Sequence, residues 1–136
     1  MTIKEFIRNN PFRVLGAFSN DSSDIISSNN SRIKAFAAIG KTVTFSQDMA
    51  SVFGAAPNCV KDMLATCMAA LSSPEGRLLN GMFWFMNQTT TDAEALAVLA
   101  QSGDLLEARR IWEDGEQNMS SIQNQLMCCL LKDSRS

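Results

Sequence analysis

Two of the three prolines in this chain follow a side chain that can cap a helix, in Asn10-Pro11 and Ser73-Pro74. Proline fixes φ near the helical value and lacks the N–H that a first helical residue leaves unpaired, so both pairs mark helix starts. Similar signals recur along the chain. Thr91 with Glu94, and Asp104 with Glu107, have the three-residue spacing of a capping box. Gly16, Gly40 and Gly103 fall where helices would stop. Punctuation this dense leaves room only for short helices, and the expected fold class is all-α.

The apolar residues between these signals repeat at helical spacing. The helix opened by Pro11 carries Phe12, Leu15 and Phe18. A second, over 23–39, carries Ile26, Ile33, Phe36 and Ala37. A third, over 58–71, has the clearest stripe: Val60, Met63, Leu64, Cys67, Met68 and Leu71. The fourth begins at Pro74 and carries Leu78, Leu79, Met82, Phe83 and Met86. A fifth ends at Ser102, a sixth carries Ala108, Ile111 and Trp112, and a seventh over 120–132 carries Ile122, Leu126, Cys129 and Leu130. One segment departs from this pattern. Lys41-Thr42-Val43-Thr44-Phe45 alternates polar and apolar with β-branched residues, which predicts a minor β-ribbon within 41–54.

Composition narrows function chiefly through what is missing. With no histidine, no Ser-His-Asp or Cys-His site can form, and no imidazole can bind a metal or shuttle a proton near neutral pH. The four cysteines, Cys59, Cys67, Cys128 and Cys129, contain no Cys-x-x-Cys pair, so they read as reduced, small apolar side chains. Gly54-Ala55-Ala56-Pro57 lacks the spacing and lysine of a phosphate loop. No catalytic, cofactor or metal site is expected, and no enzyme. The net charge of −2 argues against a nucleic-acid partner. No stretch approaches a membrane span, and Lys4 and Glu5 interrupt the start where a signal peptide needs an apolar run, so a cytoplasmic location is expected.

Two segments, taken together, resemble a known family. Asn10-Pro11-Phe12-Arg13-Val14-Leu15-Gly16-Ala17-Phe18-Ser19 is similar to the opening of a J-domain, where a short helix ends in Leu-Gly-Val before a capped helix II. Ala70-Leu71-Ser72-Ser73-Pro74-Glu75-Gly76-Arg77 resembles the junction of J-domain helices III and IV. The resemblance covers about residues 9–86. It implies that helices II and III pack antiparallel and that Arg77 has a structural role inside the fold. J-domain co-chaperones stimulate a heat-shock-seventy ATPase through a His-Pro-Asp tripeptide between helices II and III. The corresponding loop here, Lys41 to Pro57, has no histidine, and the basic face of helix II offers only Arg32, Lys34 and Lys41. The resemblance therefore implies the fold without the co-chaperone activity.

A shorter likeness lies further on. Leu99-Ala100-Gln101-Ser102-Gly103-Asp104-Leu105-Leu106-Glu107-Ala108-Arg109-Arg110-Ile111-Trp112 resembles the turn of a tetratricopeptide unit. A single unit must lean on the rest of the chain or on a partner, because repeats bury one another's faces. Residues 92–116 also hold seven acids and two bases. The candidate contact residues are Trp84, Glu107, Trp112, Glu113, Ile122 and Leu126. Two kinds of occupant fit them: a basic partner at the acids, or a second copy of the chain at Ile122 and Leu126. Alternatively, the hairpin folds back on the fourth helix and buries Phe83 and Trp84, leaving a solvated acidic rim. The expected organisation is a J-domain-like module over 1–88 and a tetratricopeptide-like helical hairpin over 89–136. The expected function is non-catalytic protein–protein interaction, with an active co-chaperone using an atypical loop as the alternative.

Overall fold

The computed structural model describes residues 2–43, 45, 49–54 and 61–133. Among them the fold is all-α, with no strand. The helices are α1 (Ile3–Arg8), α2 (Pro11–Val14), α3 (Ser23–Ala38), α4 (Ala50–Phe53), α5 (Lys61–Ala70), α6 (Pro74–Gly81), α7 (Thr90–Ser102), α8 (Leu105–Asp114) and α9 (Met119–Asp133).

The local chemistry accounts for most of these boundaries. Asn10 accepts from the Phe12 N–H, Ser22 from Ile25 and Ser73 from Gly76, so each satisfies a donor that a helix start leaves unpaired. Asp104 does the same for α8 by accepting from Glu107. Gly103, with φ +70°, ends α7 in the left-handed conformation that glycine adopts without strain. A Cβ there would also sit 2.5 Å from the Ser51 carbonyl oxygen, so the α7–α8 turn passes directly against α4.

The helices pack in two groups. α2, α3, α5 and α6 pack together around Phe12, Leu15, Ile26, Ile33, Leu64, Cys67 and Leu71, all buried. α7, α8 and α9 form a second group, against which α1 and α4 also pack. The segment 83–87 straps the groups together. On one side the Trp84 indole N–H donates to the Ala17 carbonyl, the Ser19 N–H to the Phe85 carbonyl, and Asn20 pairs with Asn87. On the other side the Met86 N–H and C=O both bond to the Asn124 side chain. Arg77 ties the start of α6 to the loop before α3, donating to the Asp21 carbonyl and to the Ser23 hydroxyl. That is the structural role the resemblance implied.

Several expectations need correction. No β-ribbon forms among the described residues of 41–54: Lys41 to Val43 and Phe45 are irregular, and 50–53 form the turn of helix α4. Thr44 and 46–48 lie outside the described residues, as do Cys59 and Val60. The fourth helix stops at Gly81, which places Phe83 and Met86 beyond it. α7 starts two residues earlier than expected, with Thr89 and Asp92, not Thr91 and Glu94, forming its reciprocal capping box. Helix α1 was not anticipated, although Thr2 and Glu5 form a complete capping box at its start.

Candidate interaction surface

The C-terminal helices are organised around one buried carboxylate. Asp92, in the first turn of α7, has no exposed surface. One carboxylate oxygen accepts from the backbone N–H groups of Gln88 (2.9 Å) and Thr89 (3.1 Å). The other accepts from the Trp112 indole N–H (2.8 Å) on α8 and the Asn124 amide (3.2 Å) on α9. Burial pushes the carboxyl pKa up. The hydrogen bonds from Ser120, Gln88, Trp112 and Thr89 oppose this and together hold it below its ordinary value of 3.8. Only a carboxylate suits this position, because both of its oxygens meet donors; an asparagine would turn its NH₂ toward other N–H groups.

This network fixes the orientation of α8 and α9 and therefore decides which candidate residues reach solvent. Trp112 is fully buried and stacks on Phe85, with centroids 6.2 Å apart and 16° between planes. Trp84 is also buried, edge-on to Phe85. Neither tryptophan lies at a surface; Trp84 is buried as the fold-back alternative has it, but Phe83 is only partly buried and α6 packs chiefly on α2 and α5 rather than on α7 to α9. On α9 the inward face carries Ser120, Ser121, Asn124, Met127, Cys128 and Leu131. The outward face carries Met119 at 75% exposure, Ile122 at 59% and Leu126 at 49%.

The same inversion occurs at α6 and its C-cap, where Leu78, Leu79 and Met82 are all at least half exposed. Periodicity placed these three in the core and gave no sign of their exposure. α9 is tied to the residues just beyond the end of α6 by Gln123, whose side-chain amide donates to the carbonyls of Met82 (2.9 Å) and Trp84 (3.3 Å). Met119 and Leu126 lie four residues before and three after Gln123, on its side of the helix. Phe6 of α1, itself half exposed, borders this surface through an edge-on contact with Phe83 at 5.4 Å.

Glu107 and Glu113 are exposed, as a contact role requires. Each is already paired along α8: Glu113 with Arg109 at 2.8 Å, and Glu107 with Arg110 at 3.7 Å. With Asp92 buried and these two acids paired, Glu94, Asp104, Asp114 and Glu116 remain exposed, so the segment still presents an acidic surface. Such exposed pairs contribute little to stability.

Among the described residues no group of three or more acidic or cysteine side chains is placed to hold a metal ion. A shallow groove of about 380 Å³ lies beside α5, lined by Asn9, Pro11, Met63, Thr66, Cys67 and Ala70, with no acid or base in its wall. Burial, and then the adjacent Cys129, push the Cys128 thiol up to about 12, with Arg109 acting in the opposite direction. The reactive species is the thiolate. Iodoacetamide at pH 8 is therefore expected to leave Cys128 unmodified in the folded protein and to alkylate it in urea, as read by peptide mass spectrometry. Labelling of Cys128 at equal rates in both conditions would contradict its place in the core. No helix among the described residues is long and apolar enough to cross a membrane. No protein-family model matches the chain, and neither a curated protein nor a solved structure shows significant similarity to it.

Proposed function

We propose that this protein is a non-catalytic protein–protein interaction module, an adaptor or scaffold that resembles a J-domain but lacks co-chaperone activity. The observation that carries the reading is the exposure of large apolar side chains on two helices: Leu78 and Leu79 on α6, with Met82 at its end, and Met119, Ile122 and Leu126 on α9. Large apolar side chains exposed on successive turns of one helix form a patch, and such patches mark contact sites. The chain's complete lack of histidine supports the second half of the proposal, because it excludes the His-Pro-Asp tripeptide on which J-domain stimulation rests.

Two experiments test this reading. In affinity capture from native cell extract, proteins retained by the wild-type chain are expected to be lost when Leu79→Glu or Ile122→Glu is introduced. They are expected to persist when Glu107→Gln and Glu113→Gln are combined, because those carboxylates are spent on α8's own arginines. Retention that ignores the apolar substitutions and follows the acidic ones would assign the contact to α8 instead. In the second experiment, single-turnover ATP hydrolysis by a cognate heat-shock-seventy chaperone is expected to be unchanged by excess protein. A saturable, several-fold acceleration would favour an active co-chaperone.

A further inference from the structure

We propose that Asn80-Gly81 is a self-modifying site, at which deamidation gated by the last turn of α6 loosens the joint between the two helix groups.

This is the chain's one Asn-Gly pair. The chemistry needs only water. The Gly81 backbone nitrogen attacks the Asn80 side-chain carbonyl carbon and a C–N bond forms. The side-chain nitrogen leaves as ammonia, taking the proton that Gly81 gives up. Water then adds to either carbonyl of the resulting five-membered succinimide. Residue 80 becomes aspartate, or isoaspartate with an extra methylene in the main chain. Glycine, which lacks a Cβ, leaves the attacking nitrogen open.

The folded chain holds both reacting groups back. Asn80 and Gly81 are the last two residues of α6. The Asn80 side-chain amide donates to the Gly76 carbonyl at 2.7 Å, one turn earlier, which directs it away from the Gly81 nitrogen. In a helix that nitrogen's hydrogen is committed to the preceding turn. Reaction therefore requires the last turn to open. Burial does little to keep it shut: α6 has no buried residue, and Leu78, Leu79 and Met82 are largely exposed. Its tether is the Asn10 side-chain amide, which donates to the carbonyls of Asn80 (2.9 Å) and Phe83 (3.2 Å). A segment with so little burial opens locally at lower cost than the core.

The product falls on a joint. The Asn10 side chain also caps α2, and the Gln123 amide of α9 donates to the Met82 and Trp84 carbonyls. These two side chains tie α2 and α9 to the residues around the end of α6. A carboxylate at residue 80 is repelled by the negative end of the helix dipole. An added methylene displaces the carbonyls that Asn10 and Gln123 hold.

Ageing the full chain at neutral pH tests the proposal, with peptide mass spectrometry to locate the new acid and an isoaspartyl methyltransferase to detect isoaspartate. Asn80 is expected to convert ahead of every other asparagine, and more slowly in the folded chain than in urea. Asn10→Ser keeps an oxygen to cap α2 but removes the tether, and is expected to accelerate conversion several-fold. Gly81→Ala is expected to slow conversion by about tenfold or more, because a Cβ hinders the attacking nitrogen. That Cβ would lie 3.4 Å from the Ser19 Cβ and 3.8 Å from the Phe12 ring, which are ordinary contacts, so the variant should fold. Circular dichroism checks both variants; if Asn10→Ser does not fold, the urea comparison and Gly81→Ala still decide. The urea midpoint is expected to fall as wild type converts and to hold in Gly81→Ala aged alongside it. Equal rates in the folded chain and in urea overturn the proposal. So does an Asn80 that stays intact in the folded wild type and Asn10→Ser while the chain in urea converts, or a converted chain whose midpoint is unchanged.

Discussion

Asp92→Ala is expected to lower the unfolding free energy by about 3–5 kcal/mol, because the Trp112 indole and the backbone N–H groups of Gln88 and Thr89 lose their acceptor inside the fold. Asp92→Asn is expected to be nearly as damaging despite its matching shape, because it sets an amide NH₂ against donors. Urea unfolding of the purified variants measures both. The pH dependence supplies a second readout. The hydrogen bonds that Asp92 accepts hold its folded pKa below the unfolded value of about 3.9. Its contribution is therefore complete above the unfolded pKa and is lost as pH falls through the folded one. The wild-type protein should lose stability in acid below about pH 4, and this branch of its pH profile should flatten in Asp92→Asn. An Asp92→Asn variant as stable as wild type, with an unchanged acid branch, would refute the network.

Trp112→Ala comes next, with an expected loss of about 3–5 kcal/mol from the cavity beneath Phe85 and from the donor withdrawn from Asp92. Trp112→Phe separates the two contributions. It keeps a ring against Phe85 and forfeits only the hydrogen bond, for a loss of about 1–3 kcal/mol. Denaturant midpoints read both. Near-native stability of Trp112→Ala would place this side chain at a surface after all.

The capping residues of α2, α6 and α8 were legible in the sequence because each depends on neighbours within three positions. The start of α7 was harder to read. Three threonines precede two acids, so local chemistry allows either Thr89 with Asp92 or Thr91 with Glu94. Tertiary demand decides, since it is Asp92 that must reach the Trp112 indole. Helix α1 was legible and missed, since Thr2 and Glu5 carry an ordinary capping-box spacing.

The faces of α6 and α9 were misread for a different reason. Periodicity scores apolar side chains as inward and polar ones as outward. On α9 Ser121 and Asn124 turn inward to meet the carbonyl of Trp112, the Met86 backbone and Asp92, Ser120 is buried with its hydroxyl donating to Asn118, and so Ile122 and Leu126 turn outward. The candidate surface was therefore half visible. Ile122 and Leu126 were named, while Leu78, Leu79 and Met82 were assigned to the core. A buried polar network leaves no mark in hydrophobic spacing, and neither does the apolar face it displaces.

The packing of α1 against α9 brings the two ends of the described chain together, with more than a hundred residues between Arg8 and Met119. This contact closes the longest loop in the molecule. A loop of that length forfeits the most chain entropy on closing, and only a six-residue helix offsets the loss. As a folding event it belongs at the end: α2, α3, α5 and α6 on one side, and α7 to α9 on the other, assemble from nearer neighbours first. Local opening of α1 would uncover α9 along the side where α1 packs, and with it the buried Ile7.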